Sequence, residues 1–440
     1  MINEEWLSSN RHLRYSYLKC TDTFKRKRDM LRQIYAVASK TSISTCELII
    51  IDSHEAITQL LSYQNAIICD THFIDYATLI SAAYYSNSPH DIVRITNAML
   101  ADSLVKSDDI VCALDFAKKY INGPVVSAFH TATEIQLRKL VLAARSFQSF
   151  FAIRHELAHT DYQSKNSMWE PFFEYYRRVI SEKVSTHNCF AIRINDIDLS
   201  PIQQELLRIK SYAKPAMEFP SSKDAVFRMK CVSQQINNLI IKERRKLSRY
   251  QDREWEEYQR ILYFACDNFI RETKSAMLCE NKFIEECSCD LLSIFELLDI
   301  GFESLDKCSA RICAVESYLL CMLTQNMLLT AHNIQKYSHE NVKSYVDNNY
   351  MRRFFEYDLL PALLNFYTLY HKDLSMEKDK ESIIDAVYKA SENVDLMYAI
   401  FSEYIFTLNF DDISEKHIPY SDQRWKECYS EIERILQFPV

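Results

Sequence analysis

The alternation of apolar and polar residues along the chain predicts a protein built mainly of helices. Apolar residues recur three and four positions apart over long stretches, which is the spacing that places them on one face of a helix. Two short β-branched runs near the N-terminus, CELIIID at 46–52 and NAIICD at 65–70, instead have the composition of strands. Residues 53–63 between them have helical spacing, so we expect a helix to connect the two strands.

The longest helical pattern begins at residues 131–134, TATE, which have the spacing of a capping box, and it continues to about Thr160. Its apolar positions are Leu137, Leu140, Val141, Ala144, Phe147, Phe151, Leu157 and Ala158. Few charged residues occur in its second half, so we expect a helix that is buried in the middle of a domain.

The composition agrees with a mostly helical, folded chain. With 440 residues, 48% of them hydrophobic and 25% charged, the chain is long enough and apolar enough to bury a sizeable core. Only two glycines are present, Gly123 and Gly301, and nine prolines, which leaves little material for tight β-turns. Glycine-rich phosphate-binding loops of the Walker or Rossmann kind are therefore excluded.

Charge and cysteine usage restrict the partners and the compartment. A net charge of −8 gives no overall attraction to nucleic acid or to an anionic membrane. No run approaches 18 uninterrupted apolar residues, and the N-terminus has no signal-peptide pattern, so we expect a cytoplasmic protein with reduced thiols. Cys287 and Cys289 lack the second cysteine pair of a zinc-thiolate site, and a place in the core is expected for them.

The segment FFAIRHELAHTDYQ at 150–163 carries the strongest chemical signal. His155 and His159 are four residues apart, so on a helix both imidazoles face the same side and can bind one ion. Glu156 follows the first histidine and can accept a proton from a water molecule at the metal. This is the His-Glu-x-x-His signature of zinc peptidases, and a pair of histidines that merely packs in a core is the alternative.

A catalytic zinc ion needs a third protein ligand in addition to the two histidines. The extended signature with a glycine and a third histidine is excluded, because Tyr162 and Lys165 occupy those positions. Glu286 and Asp290 lie one turn apart in the amphipathic pattern of residues 281–300. Two carboxylates beside so much apolar surface need partners, and a metal ion for Glu286 and a histidine N–H for Asp290 would be suitable.

Other acidic residues lie nearer in sequence to the two histidines. The separation of Glu286 from His159 is 127 positions, whereas Glu170, Glu174 and Glu182 are much closer. Glu182 has no acidic residue four positions later. A helical insertion over 165–275 would allow the more distant Glu286 to serve as the ligand, because long insertions are tolerated when their ends remain close.

The motif and the later Glu-x-x-x-Asp helix resemble those of gluzincin-type metallopeptidases. The chain resembles in particular the cytoplasmic phage-exclusion peptidases of the Lit type and related antiviral proteins. The resemblance implies zinc bound by His155, His159 and Glu286, with Glu156 as the catalytic base and Asp290 in support. It also implies an endopeptidase that cleaves a cytosolic protein during phage infection.

The predicted fold class is therefore mainly α with a small β-sheet (α+β). Residues 1–40 are expected to form an N-terminal helical segment, 41–164 and 276–301 the two parts of a zincin-like core, 165–275 the insertion and 302–440 a helical C-terminal domain. The expected function is that of a zinc-dependent endopeptidase acting on a protein substrate. The alternatives are a helical interaction or regulatory protein with a non-catalytic metal site and a nucleic-acid effector. The sequence leaves the oligomeric state open.

Overall fold

The computed structural model describes residues 22–43, 46–52, 58–61, 65–106, 109–122, 132–164, 167–186, 281–333, 359–408 and 422–436, together with Glu356 and Ile418. Most of the expected insertion at 165–275 lies outside these residues. Within them the protein is mostly helical with one small sheet, so the predicted α+β class is confirmed.

A three-stranded mixed sheet lies near the N-terminus. It consists of β1 (Glu47–Ile51), β2 (Thr58–Leu61) and β3 (Ala66–Asp70), in the order β1-β3-β2. Strand β3 runs parallel to β1 and antiparallel to β2, and all five of its residues are buried, as is typical of a central strand.

The sheet corrects one prediction. The structure places strand β2 inside residues 53–63, where the apolar spacing had predicted a helix. This short pattern is compatible with either conformation, and pairing with the buried strand β3 favours the strand. The two strands that were predicted, at 46–52 and 65–70, are confirmed.

Four helices of the described part precede the motif helix. Helix α1 spans Asp22–Ala38 and is followed by a short 3-10 turn at Ser39–Thr41; the next helices are α2 (Thr71–Tyr85), α3 (Asp91–Lys106) and α4 (Ile110–Asn122). Helix α2 begins directly after β3 because Asp70 caps it: the Asp70 carboxylate accepts a hydrogen bond from the His72 backbone N–H at 3.0 Å.

Helix α5 (Ala132–Gln163) lies at the centre of the packing. Helices α1 and α2 and strands β2 and β3 contact it, and so does α8 (Lys307–Asn333) from the C-terminal part of the chain. Phe147, Phe151, Leu157 and Ala158 on α5 are almost completely buried. The prediction of a long, buried helix carrying the motif is therefore confirmed.

The remaining helices are α6 (Glu170–Thr186), α7 (Asn281–Leu297), α9 (Leu374–Thr407) and α10 (Gln423–Ile435), and residues 359–371 are also helical. Helix α8 packs against α3, α5 and α9, and α10 packs against α4. By length and composition alone α8 could cross a membrane. However, 78% of its most apolar window is buried inside the protein, which is the position of a core helix.

The chain falls into two compact units. The first comprises 1–170, 289–339 and 352–440, and the second comprises 171–288 and 340–351. The helices described at 302–440 therefore belong to the same unit as the motif helix. The division falls within α7, between Ser288 and Cys289, and this helix continues unbroken across it. The finer domain boundaries expected from the sequence, and the zincin-like core, remain predictions.

Candidate metal centre

Helix α5 brings the two motif histidines together as their spacing predicted. The Nε2 atoms of His155 and His159 lie 3.1 Å apart, and the two rings stand nearly perpendicular with their centroids at 4.8 Å. His155 is buried and His159 is half-buried. Two imidazole nitrogens that face each other at this distance can share one cation.

Asp290 on α7 lies behind the first of these rings. Its Oδ1 atom is 2.6 Å from Nδ1 of His155, and its side chain is completely buried. A carboxylate in this position holds the proton on Nδ1 and leaves the lone pair of Nε2 available for a metal. Asp290 therefore lies where the sequence had expected it to support a histidine ligand.

Cys289 lies behind the second ring, and the sequence had not singled it out for this place. Its Sγ atom is 3.7 Å from Nδ1 of His159. Cys287 and Cys289 are both buried, as expected of core cysteines. The signal that could have revealed this contact is the position of Cys289 next to Asp290, on a helix that faces both imidazoles.

Glu286 is carried by the same unbroken helix, one turn before Asp290. Its carboxylate and the ring nitrogens of His155 and His159 offer three ligand atoms that all lie within 4.8 Å of one another. Among the described residues this is the group of histidine, cysteine and acidic side chains with the spacing of a metal site. The three residues form a candidate metal-binding triad.

Two of the competing acidic residues, Glu170 and Glu174, do not join this triad. Glu170 and Glu174 lie on α6 and take no part in the cluster. The side chain of Glu182 lies outside the described part of the protein. Two imidazole nitrogens with one carboxylate oxygen are a donor set that Zn²⁺ accepts, and three protein ligands leave a fourth position open, as in catalytic zinc sites.

Glu156 follows His155 on α5, and its side chain contacts the sheet. Its Oε2 atom accepts a hydrogen bond of 2.8 Å from the backbone N–H of Leu60 in β2, and the carboxylate is half-buried. The same carboxylate acts on the thiol of Cys69 in β3. Burial, and to a lesser degree the negative charge of Glu156, raise the pKa of this thiol far above its usual value. The expected base is thus hydrogen-bonded to β2, one of the two edge strands of the described sheet.

Sequence reasoning also missed a buried cluster on the adjacent face of α5. Arg154 forms ion pairs with Asp161, at 2.9 Å, and with Glu296 on α7. The signal that could have found it is the seven-residue spacing of Arg154 and Asp161, which places opposite charges on one helix face within an apolar run.

Comparison with known proteins adds no relative. No protein-family description matches the chain, and no curated protein or solved structure matches it. The function of the protein is therefore inferred from the residues of the site itself.

Proposed function

We propose that the protein is a zinc-dependent endopeptidase of the gluzincin type, with a zincin-like core and a cytosolic protein as its substrate. The convergence of His155, His159 and Glu286, which are contributed by two helices far apart in sequence, is the observation that carries this proposal. A pair of histidines that only packs in a core would not need a carboxylate at the same point.

The chemistry assigns a role to each residue of the site. His155, His159 and Glu286 would hold the ion, and Asp290 and Cys289 would orient the two rings. A bound Zn²⁺ supplies Lewis-acid chemistry, by polarising a peptide carbonyl group and making a water molecule more acidic. Glu156 takes the proton from the attacking water and delivers it to the leaving amine.

Strand β2 supports a peptide as the substrate. It is at one edge of the described sheet, and the Leu60 N–H points away from β3, because it donates to Glu156. An extended peptide that added to such an edge through backbone hydrogen bonds would compete with Glu156 for the Leu60 N–H and would lie beside helix α5. The contact of β2 with α5 keeps this edge next to the motif.

The test uses the full-length protein and one conservative variant. Zinc content is measured by mass spectrometry, and hydrolysis is measured on a denatured protein and on a peptide library. The wild type should contain about one zinc ion per chain. Glu156→Gln should keep the metal and lose about 100-fold or more of the hydrolysis, because only the proton-transferring group is removed. Glu174→Gln, a change of the same kind at an exposed residue outside the triad, should leave both unchanged.

A non-catalytic metal site in a regulatory protein is the second candidate function. The hydrogen bond from Leu60 to Glu156 favours it, because this contact also ties strand β2 to helix α5. In that case the wild type binds zinc and hydrolyses nothing, and Glu156→Gln changes the stability of the fold alone. This outcome would contradict the peptidase proposal.

The biological setting is proposed from the resemblance to phage-exclusion peptidases. The substrate would be a host protein that is cleaved in the cytosol during infection. Cells that express the wild type should restrict a panel of phages, and cells that express Glu156→Gln should not. Restriction that survives this substitution would separate any defence role from peptide hydrolysis.

A further inference from the structure

Arg154 precedes the first motif histidine and links the two helices that carry the triad. The side chain is completely buried. Its Nη1 atom pairs with Asp161 at 2.9 Å, two residues beyond the end of the motif on α5, and its Nε atom pairs with Glu296 on α7. One guanidinium group thus connects the motif helix to the helix of Glu286.

The two carboxylates also hold the chain that leads into strand β1. Asp161 accepts hydrogen bonds from the backbone N–H of Ile43 at 2.8 Å and from the Ser42 hydroxyl at 3.1 Å. Glu296 accepts one from the Thr41 hydroxyl. All these contacts lie within the first unit. The ion pairs of Arg154 are therefore part of a larger cluster, because both carboxylates also accept hydrogen bonds from residues 41–43.

Stability alone does not account for such a cluster. A buried ion pair gains little over well-packed apolar residues, because desolvation of the charges offsets their attraction. What an ion pair adds is a requirement for one partner at one position. Two apolar helix faces can slide past each other, whereas a guanidinium with two fixed carboxylates accepts a single register.

The metal centre depends on that register. Glu286 must reach both histidines, and Asp290 must lie at Nδ1 of His155. A shift of α7 by one residue moves a side chain by about 1.5 Å along the axis and rotates it by about 100°. Such a shift would remove the third ligand from the cluster and the Asp290 carboxylate from Nδ1 of His155.

We propose that Arg154 is the positioning residue of the metal centre: its ion pairs with Asp161 and Glu296 fix the register of α7 along α5, so that Glu286 completes the triad. This inference rests on the proposed zinc site. It predicts that zinc affinity is sensitive to a residue that offers no ligand atom.

The protein contains a matched control in Arg311. This arginine is also almost completely buried, and it pairs with Asp373 at 2.6 Å and Asp379 at 3.2 Å. It lies on α8, and neither of its partners belongs to α5 or α7. Arg154→Lys and Arg311→Lys therefore make the same chemical change in two buried ion-pair clusters, of which one links the metal-binding helices.

The experiment measures zinc affinity by competition with a chromophoric chelator, the visible spectrum of bound Co²⁺, and urea unfolding in the presence of a chelator. Both variants should lose stability. Arg154→Lys should also weaken zinc binding by about 10–100-fold and change the Co²⁺ spectrum, as disturbed support of metal ligands does. Arg311→Lys should bind zinc and Co²⁺ as the wild type does.

Equal zinc affinity in the two variants would overturn the inference and leave the peptidase proposal standing. A wild type that binds zinc but cleaves nothing would overturn the peptidase proposal and leave the role of Arg154 standing. A wild type that binds no zinc would overturn both. If Arg154→Lys does not fold, Glu296→Gln and Asp379→Asn form the milder matched pair, with the same expected contrast.

Discussion

Two histidine clusters in the described part of the protein, around His72 and around His155, use carboxylates in opposite ways. In one, His72 has a carboxylate near each ring nitrogen: Asp102 lies 3.1 Å from Nδ1 and Asp52 lies 3.5 Å from Nε2. In the other, His155 has Asp290 at Nδ1, and its Nε2 faces a nitrogen of His159. In the first cluster, carboxylates surround the imidazole of His72, which is itself the cation. In the second, the ring nitrogens of His155 and His159 can offer lone pairs to a metal ion.

The charge of His72 follows from these neighbours. Burial by itself lowers the pKa of the ring, but the carboxylates of Asp102, Asp70 and Asp52 outweigh it and raise the pKa to about 10. The imidazole therefore carries its proton at neutral pH and neutralises part of a buried acidic cluster. A histidine flanked by carboxylates on both sides is a structural ion pair, and a ring nitrogen that faces a second histidine distinguishes a candidate metal site from it.

The largest expected effect is on metal binding, which should require His159 and should not require His72. His159→Ala should abolish stoichiometric zinc binding and, with it, any hydrolysis, because two protein ligands do not hold a catalytic zinc ion. His72→Asn should retain zinc at about one ion per chain. Metal analysis of the purified proteins checks both. Equal zinc content in the two variants would remove the distinction between the clusters.

The second effect is on stability, and here the substitution of His72 is expected to have the large consequence. His72→Asn removes the cation from beside Asp102, which is 1% exposed, so the free energy of unfolding should fall by about 3 kcal/mol. Urea unfolding in the presence of a chelator measures this loss. His90→Asn, at an exposed histidine, should cost about 0.5 kcal/mol or less. A loss no larger than that of the control would show that the His72 cluster is not a structural ion pair.

The smallest effect is a dependence of stability on pH. Since the pKa of His72 is raised from about 6.5 in the unfolded chain to about 10 in the fold, its stabilising contribution is complete below about pH 6.5. It is lost as pH rises through 10, because the folded protein retains a proton that the unfolded chain has released. Between pH 7 and 8 the stability difference between wild type and His72→Asn should shrink by about 1 kcal/mol. A difference independent of pH over this range would contradict the raised pKa.

Much of the candidate site could be predicted because its parts are local. The four-residue spacings of His155 with His159 and of Glu286 with Asp290 each place two side chains on one helix face, whatever surrounds that helix. The apolar periodicity that predicted a buried helix at the motif depends on the same regular geometry. Strand β2 was missed because residues 53–63 form a short segment whose pattern fits both conformations, and pairing with β3 decides between them.

By itself the sequence determined the two halves of the candidate metal centre, the buried motif helix and the mainly helical class, since each follows from spacing along a regular helix. Only the tertiary structure decided that Glu286 joins the histidines, that Cys289 lies behind His159 and that Arg154 links α5 to α7. The physical reason is distance along the chain. Helix geometry fixes neighbours within a turn or two, whereas side chains 127 positions apart, such as those of His159 and Glu286, meet only through the packing of whole helices.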